Sequence, residues 1–281
     1  MPARPYDAIL LDLDGTLVAD DGTIHPTTRA RLHAAAEAGV VVMIATGRSE
    51  TTAIPAIDLL GIDTPAVIYN GAAVYCPRTK SLLEERFLDA ALLGRVLDYA
   101  EAEEHYPVVM CPDTKLALAP HTLEEQLALH DMSQLRVVES PSLRVERSIR
   151  VSLFSGKHAS ADAFVEELNG RVPDLDAYLT WFPLNLLPEH RESPLVVIDV
   201  QPKCDGKAEA FRVLEERYGI ARERTIACGD AGNDIPMLEG AGLSIAMGNA
   251  VPEVKEIADR VIGENHTATI GELVAELGLD R

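Results

Sequence analysis

Aromatic residues and cysteines are scarce in this sequence, and both shortages limit what the chain can be. Phe, Trp and Tyr make up 5% of its 281 residues, so a hydrophobic core must be built mostly from Leu, Val, Ile and Ala. The four cysteines stand far apart and form no Cys-x-x-Cys pair; they are Cys76, Cys111, Cys204 and Cys228. This usage favours reduced, partly buried thiols in a cytoplasmic protein over a disulfide framework.

Positive charge and long apolar runs are scarce as well. Against 45 Asp and Glu there are only 25 Lys and Arg, a formal net charge of -20, which gives nucleic acids and anionic lipids no attraction. No apolar run approaches the roughly 18 residues of a membrane-spanning helix, and the start of the chain has no signal-peptide cleavage pattern. We therefore expect a cytoplasmic protein without nucleic-acid or membrane partners, whereas the sequence predicts nothing about its oligomeric state.

The rest of the composition is that of an ordinary globular protein, with 47% hydrophobic and 25% charged residues. Near both ends of the chain, continuous apolar runs alternate with helical patterns, which predicts buried parallel strands joined by right-handed crossovers. The predicted strands are 7–11, 40–45 and 66–69 near the start, and 225–228, 243–246 and 260–262 near the end. The helix predicted over 27–38 is capped by Thr27 and ends at Gly39.

The middle of the chain is patterned differently. Short predicted strands between 107 and 200 are interspersed with predicted helices in a way typical of an antiparallel-rich α+β unit. We therefore predict a Rossmann-like α/β core in two parts, residues 1–83 and 199–281, with an α+β domain inserted over 84–198.

Polar residues follow the predicted core strands at the edge where ligands bind in open parallel sheets. They are Asp12, Leu13, Asp14, Gly15 and Thr16 after the first strand, Thr46, Gly47 and Arg48 after the second, and 229–234 after the strand at 225–228. Taken singly, these residues have ordinary explanations as turn formers or helix caps, and Lys207 as a solvated lysine at a helix start. A calcium loop beginning at Asp12 is excluded, because Leu17 and Thr23 stand where it needs Gly and Glu.

Two of these acids point to a cation. Asp12 and Asp14 stand two residues apart at the end of a strand, so an extended chain directs both carboxylates to the same side. Clustered carboxylates repel each other and stay ionised together only when a cation binds among them. Oxygen ligands without nearby His or Cys favour Mg²⁺, and none of the eight histidines has the His-Glu-x-x-His spacing of a zinc site.

Four segments, in this order, resemble the motifs of the haloacid dehalogenase-like superfamily. They are Asp12-Leu13-Asp14-Gly15-Thr16-Leu17, Ala45-Thr46-Gly47-Arg48, Lys207, and Gly229-Asp230-Ala231-Gly232-Asn233-Asp234. The insert is similar in placement to the large α+β (type IIB) cap of the Cof-type phosphatases, which segments 70–72 and 246–250 also resemble. The resemblance implies a Mg²⁺-dependent phosphatase that acts on a small phosphorylated metabolite, such as a sugar phosphate.

The resemblance also implies catalytic roles. Asp12 is expected to be the nucleophile that forms an aspartyl-phosphate, and Asp14 the general acid and then the general base. The groups expected to hold the phosphoryl oxygens are Thr46, Lys207 and the backbone N–H groups around Leu13 and Gly47.

For the metal, the resemblance implies a second set of contacts. Mg²⁺ is expected to bind Asp12, the backbone carbonyl of Asp14 and Asp230, with Asp234 as a ligand or a close neighbour of the ligands. Asn233 is expected to orient either the phosphate or Lys207. The net charge makes the metal necessary, since a phosphate dianion entering a cluster of carboxylates is otherwise repelled.

Some residues keep two interpretations. Arg48 either contacts the substrate phosphate or braces its loop, and Asn70 either lines the site or caps a turn. In the inserted unit, candidate substrate contacts are Asp113, Lys115, Arg144, Arg150, Trp181 and His190, each of which also suits a surface or packing position. Cof-type relatives carry Asp-Gly-Val after the last core strand, where this chain has Asn265-His266-Thr267-Ala268-Thr269-Ile270.

Two other functions compete with a phosphatase. A phosphomutase would return the phosphoryl group to a sugar, so it would form an isomeric sugar phosphate and little free phosphate. A non-catalytic phospho-ligand binding protein would have no need for an acid/base beside a nucleophile, which Asp12 and Asp14 provide here.

Overall fold

The computed structural model describes residues 4–130 and 132–281 and divides the chain into two compact units. The first unit comprises the residues up to Glu85 together with Asp205–Arg281, and the second comprises Arg86–Cys204. Within the described ranges, no helix is long and apolar enough to cross a membrane.

The strands and helices of the two units are named in chain order. The strands are β1 (Ala8–Leu11), β2 (Val41–Ile44), β3 (Ala66–Ile68), β4 (Ala73–Cys76), β5 (Ser81–Glu85), β6 (Tyr106–Met110), β7 (Lys115–Ala117), β8 (Leu135–Val137), β9 (Arg150–Ser155), β10 (Ala177–Pro183), β11 (Val196–Pro202), β12 (Thr225–Gly229), β13 (Leu243–Ala246) and β14 (Arg260–Val261). The helices are α1 (Pro26–Glu37), α2 (Glu50–Leu60), α3 (Ala90–Ala102), α4 (Leu123–Leu129), α5 (Ala161–Arg171), α6 (Glu209–Tyr218), α7 (Ile235–Gly240), α8 (Pro252–Ile257) and α9 (Thr269–Glu276).

The first unit is built on a parallel sheet with the strand order β14-β13-β12-β1-β2. Its central strand, β1, is buried along its whole length, as expected for a continuous apolar run in a sheet covered on both faces. Leu11 is in register with Ile44 on one side and Cys228 on the other. The segments that follow these strands therefore leave the sheet at one common edge, and the predicted α/β fold with a parallel sheet is confirmed.

Two details of the first unit correct the sequence analysis. The strand predicted at 66–69 is not a full member of the parallel sheet, since β3 pairs antiparallel with β4 and its Val67 forms an isolated parallel bridge with Ala45, the residue after β2. Positive φ angles at Tyr69, Asn70 and Gly71 reverse the chain after β3 and force this antiparallel pairing. The cap predicted at Thr27 is also wrong.

The helix α1 begins one residue earlier, at Pro26, and its cap is His25. The His25 Nδ1 accepts a hydrogen bond of 3.2 Å from the backbone N–H of Thr27. Proline suits the first helical turn because its fixed φ is helical and its missing N–H would have no partner there.

The second unit contains a largely antiparallel sheet with the order β10-β11-β9-β6-β7-β8, which confirms the predicted change of pattern. Leu92 and Val96 of α3 and Phe164 of α5 form one hydrophobic core with strand residues such as Val151 and Ile198. Of the surface and packing positions considered for Trp181, the structure shows the surface: the residue is 43% exposed, and its indole N–H donates to Asp162.

Candidate active site

The centre of the site is a buried lysine between two carboxylates. Lys207 lies in a 3₁₀ turn before α6 and is 1% exposed. Its Nζ lies 2.7 Å from Oδ1 of Asp12, the first residue after β1, and 2.6 Å from Oδ1 of Asp234. The interpretation of Lys207 as a solvated surface lysine is therefore wrong.

The loop after β12 is shaped by Asp234. Its Oδ2 accepts hydrogen bonds from the backbone N–H groups of Asp230, at 2.9 Å, and Ala231, at 3.0 Å. The carboxylate of Asp230 then meets the loop after β1, where the Thr16 hydroxyl donates to its Oδ1 at 2.9 Å. Asp12, Asp230 and Asp234 each offer a carboxylate oxygen within 4.8 Å of the other two.

A glycine permits this close approach. Gly15 has φ +74, and a Cβ at this position would lie 2.2 Å from Oδ2 of Asp230. Any side chain here would displace Asp230 from the cluster and would also strain the backbone. Gly15 in the Asp-x-Asp-Gly motif is therefore explained by the neighbouring carboxylate as well as by the turn.

Three carboxylates lie close to a single lysine, and the pKa values of Asp12 and Asp230 reflect this imbalance. Burial, together with repulsion from Asp234 and Asp230, raises the pKa of Asp12 well above its usual range, although Lys207 opposes the shift. Burial and the Asp234 charge raise the pKa of Asp230 to about 7. Burial alone would lower the pKa of Lys207, but Asp12 and Asp234 outweigh it and raise the pKa, so the lysine stays charged.

Arg48 contacts Asp14 in a bidentate pair. Its Nε donates to Asp14 Oδ2 at 2.8 Å and its Nη2 to Oδ1 at 2.5 Å, while Nη1 reaches the carbonyl of Thr52 at 3.0 Å. The Asp14 side chain is 61% exposed, so it stands at the mouth of the site whereas Asp12 lies at its base. Of the two interpretations of Arg48, these contacts favour bracing, with the arginine joining the loops after β1 and β2.

Asn70 joins three loops of the site. Its backbone N–H donates to the carbonyl of buried Thr46 at 3.0 Å, and its Oδ1 accepts from Asn233 Nδ2 at 3.1 Å. A Cβ on neighbouring Gly71 would lie 2.3 Å from the carbonyl oxygen of Gly206, so only glycine allows this loop to approach the Lys207 turn. Asn70 therefore lies within the site.

Leu13 and Gly47 lie in the same loops. The Leu13 side chain is fully buried, and its carbonyl accepts from the backbone N–H of Val18 at 2.8 Å, which closes the turn after Asp12. A Cβ on Gly47 would come within 2.9 Å of Asn70 Oδ1, so this loop too depends on glycine.

Two asparagines that were assigned no role also fix the site loops. Asn249 donates to the carbonyl of Gly15 at 2.7 Å, and Asn265 donates to the carbonyl of Val18 at 3.1 Å. The two are joined because the Asn265 backbone N–H donates to Asn249 Oδ1 at 3.1 Å. The resemblance of segment 246–250 to Cof-type phosphatases was the only signal for Asn249. Asn265 occupies the segment that departs from the family pattern.

Three of the candidate substrate contacts in the second unit, Lys115, Arg144 and Arg150, have partners within that unit. Arg144 donates to Asp98 at 2.6 Å, and the buried Arg150 lies 3.1 Å from Asp199. Lys115 donates to the carbonyl of Ser133 at 3.2 Å. A role for these residues in substrate recognition stays a prediction.

Comparison with known proteins decides the family. The model of a family described as haloacid dehalogenase-like hydrolase matches residues 9–274, nearly the whole chain. The chain belongs to the haloacid dehalogenase-like hydrolase family. Two curated relatives are a 5-amino-6-(5-phospho-D-ribitylamino)uracil phosphatase of Bacillus subtilis and a pyridoxal phosphate phosphatase of Escherichia coli. The first is 30% identical, with 98% of each chain covered; the second is 28% identical, with 95% of this chain and 96% of the relative covered.

Solved structures agree with this family. A phosphatase of the same superfamily from Bacteroides thetaiotaomicron has a TM-score of 0.82 at 21% identity, covering 99% of this chain and 97% of that one. A sugar phosphatase of subclass IIB has a TM-score of 0.77 at 22% identity, covering 97% and 99%. These findings confirm the predicted family and the prediction of an enzyme, a hydrolase of the phosphatase class.

Proposed function

We propose that this haloacid dehalogenase-like hydrolase is a Mg²⁺-dependent phosphatase that cleaves a small phosphomonoester through an aspartyl-phosphate on Asp12. The observation that carries the proposal is the buried Asp12 carboxylate held by Lys207 at 2.7 Å, with Asp14 two residues away at the mouth of the site. A nucleophile and an acid/base on one short loop are the groups that two-step phosphoryl transfer requires.

In the first step, a carboxylate oxygen of Asp12 attacks phosphorus. The bond between phosphorus and the ester oxygen breaks, and the leaving oxygen takes a proton from Asp14. In the second step, Asp14 removes a proton from water, the water oxygen bonds to phosphorus, and the aspartyl oxygen leaves as a carboxylate. Arg48 donates to both oxygens of Asp14 and so orients this carboxyl group at the mouth of the site.

The donor set fits a divalent metal. Asp12, Asp230 and Asp234 bring three carboxylates within 4.8 Å, yet one lysine is the only cation in hydrogen-bond contact with them among the described residues. The residues proposed to hold Mg²⁺ are Asp12, Asp230 and the backbone carbonyl of Asp14. When bound, the metal supplies positive charge that offsets the carboxylates and the phosphoryl oxygens.

Asp234 is better suited to positioning than to ligation. One of its oxygens contacts Lys207, and the other accepts two backbone hydrogen bonds from the loop that carries Asp230. Asp234 thus holds Lys207 beside Asp12 and holds Asp230 in the cluster. Asn233 and Asn70 support the same loop, while Thr46 and the N–H groups around Leu13 and Gly47 remain the proposed contacts of the phosphoryl group.

The substrate class is proposed from the relatives. A ribitylaminouracil phosphate and pyridoxal phosphate are both small phosphomonoesters in the names of the two phosphatases above. A panel of such compounds, including sugar phosphates, tests the proposal by release of inorganic phosphate with Mg²⁺ and with chelator. Conversion of a sugar phosphate to its isomer would identify a mutase instead, and unchanged compounds that nevertheless bind would indicate a binding protein.

Metal binding is expected to depend on pH. Asp230 has a folded-state pKa of about 7, above its usual value of 3.8. Its contribution to the free energy of unfolding is therefore fully present below pH 4, where the carboxyl group is neutral in both states, and is lost as pH rises through 7. Metal-free protein should therefore lose stability across this range, and Mg²⁺ should restore it. Saturating Mg²⁺ is expected to raise Tm by roughly 5–10 °C at pH 8 and by much less at pH 5.5, where protons compete.

Thermal denaturation of chelator-treated protein, with and without Mg²⁺ at both pH values, checks this expectation. The variant Asp230→Asn serves as the control, because it keeps the side-chain shape and removes a proposed ligand, so its Tm should respond far less to Mg²⁺. An equal shift at pH 5.5 and pH 8, or an undiminished shift in Asp230→Asn, would contradict the assignment of the carboxylates as the metal site.

A further inference from the structure

The second unit contains a group of side chains whose chemistry differs from that of the acidic site. His105 lies between α3 and β6, His158 lies before α5, and Glu167 lies on α5. His158 Nε2 is 3.1 Å from Glu167 Oε2, and His105 Nε2 is 3.9 Å from Glu167 Oε1. One ligand atom of each residue lies within 4.8 Å of the other two.

This spacing suits a small transition-metal ion. In tetrahedral coordination at 2.0–2.1 Å, neighbouring ligand atoms lie about 3.4 Å apart. His158 Nε2 lies 3.1 Å from Oε2 of Glu167 and His105 Nε2 lies 3.9 Å from Oε1, so each carboxylate oxygen is near that spacing from one imidazole. Two imidazoles and a carboxylate, without a thiolate, are a donor set typical of Zn²⁺, Co²⁺ or Ni²⁺, whereas Mg²⁺ and Ca²⁺ prefer oxygen ligands.

The ligands are already held in place. The Phe164 ring lies 4.6 Å from the His105 ring and 4.5 Å from the His158 ring, measured between centroids. Ser155 Oγ lies 2.8 Å from His158 Nδ1, which leaves Nε2 directed at Glu167, and the Tyr99 hydroxyl donates to Glu167 Oε1 at 3.0 Å. Outer hydrogen bonds of this kind orient the ligands in metal sites.

The protonation states agree with a metal site. Burial, together with the neighbouring His158, lowers the pKa of His105 to about 4, so this imidazole is neutral, as a metal ligand must be. The hydrogen bond from His158 lowers the pKa of Glu167, which is therefore ionised. His105 Nε2 lies 3.2 Å from the Tyr99 hydroxyl, whereas its buried Nδ1 has no hydrogen-bond partner among the described residues.

We propose that His105, His158 and Glu167 form a transition-metal site of the second unit that takes Zn²⁺ or a similar ion. An ion bound there links α5 to the end of α3 and so stabilises this unit. The site is separate in chemistry and in sequence from the acidic cluster of the first unit, and it does not depend on the proposed phosphatase mechanism.

Co²⁺ is the probe that tests this proposal, because its visible absorption reports tetrahedral coordination. The titration uses tag-free, full-length, chelator-treated protein in excess Mg²⁺, which occupies the proposed carboxylate site. We expect one Co²⁺ per chain with an intense visible band that Zn²⁺ abolishes, together with a rise of Tm on adding Zn²⁺. Loss of a residue that only hydrogen-bonds to a metal ligand weakens metal binding roughly 10–100-fold. Removing a ligand itself should therefore weaken binding by about 100-fold or more.

Two variants remove a ligand, His158→Gln and Glu167→Gln, and His121→Gln changes an exposed histidine of the same unit as the matched control. The band and the Zn²⁺-dependent rise of Tm should persist in the control and disappear in each ligand variant that keeps a cooperative melting transition. Glu167, which is partly exposed, provides the test if His158→Gln does not fold. Absence of the band from the wild type, or its survival in either ligand variant, would overturn the proposal and leave a hydrogen-bonded network only.

Discussion

Replacing Asp12 by Asn is expected to abolish phosphate release, with a loss of kcat on the order of 10⁴-fold or more. An amide oxygen is a poor nucleophile, and an asparagine side chain cannot form the acyl phosphate that the proposed mechanism requires. The substitution preserves the side-chain shape at a position that is 4% exposed, and Lys207 keeps its second partner, Asp234, so the fold is retained. Steady-state assays with Mg²⁺ and an aryl phosphate measure the loss.

The matched control is Asp63→Asn. Asp63 is an exposed acid just before β3, at the opposite end of the strands from Asp12. The control makes the same change of charge and should leave kcat and KM within about twofold of the wild type, because surface substitutions away from a site have small effects. An Asp12→Asn protein that keeps even a tenth of the wild-type activity would show that Asp12 is not the nucleophile.

Replacing Lys207 by Met is expected to reduce both activity and stability. The side chain is fully buried, and its removal leaves Asp12 and Asp234 without the cation that they share. Breaking a buried ion pair from one side costs about 3–5 kcal/mol of the free energy of unfolding. Loss of a positioned charge beside the transferring phosphoryl group lowers kcat by roughly 10²–10³-fold.

Urea denaturation and phosphate release measure the two effects. The loss of stability should be larger at pH 8 than at pH 5, because protonation of the raised-pKa carboxylates relieves their repulsion at the lower pH. Lys203→Met is the control, since Lys203 pairs with Asp176 at the surface and should leave both quantities unchanged. A Lys207→Met protein as stable and as active as the control would contradict the role assigned to the lysine.

The position of the site could be predicted because it depends on simple features of the sequence. Buried apolar runs place β1, β2 and β12 side by side, and the residues that follow them must then meet at one edge. Asp12 and Asp230 come together for this reason. Lys207 was harder to predict, because a lysine at a helix start is usually solvated. Only its place in the order of the four family motifs suggested that it belongs to the site.

Other features depend on contacts that no local pattern encodes. The antiparallel pairing of β3 with β4 follows from left-handed backbone at Tyr69, a conformation that a bulky residue rarely adopts. The pairing of Arg48 with Asp14 could not be predicted, because a flexible arginine side chain can reach several partners and the sequence does not specify which one it contacts. His105 and His158 meet across the second unit without any motif spacing, so they carried no signal in the sequence.

The measurement that tests the central claim most directly is detection of the phosphoryl group on Asp12. The variant Asp14→Asn, with Mg²⁺ and an aryl phosphate, is the form to use. An aryl leaving group needs little help from a general acid, whereas hydrolysis of the intermediate lacks its base, so the phosphoenzyme should accumulate.

Acid quenching followed by mass spectrometry of the intact protein and of its peptides identifies the modified residue. We predict a gain of one phosphoryl group per chain, located on Asp12 and absent from the double variant Asp12→Asn/Asp14→Asn. The proposed mechanism would be contradicted if the wild-type enzyme releases phosphate but the Asp14→Asn variant turns over without any phosphoryl adduct. An adduct on a residue other than Asp12 would contradict it as well.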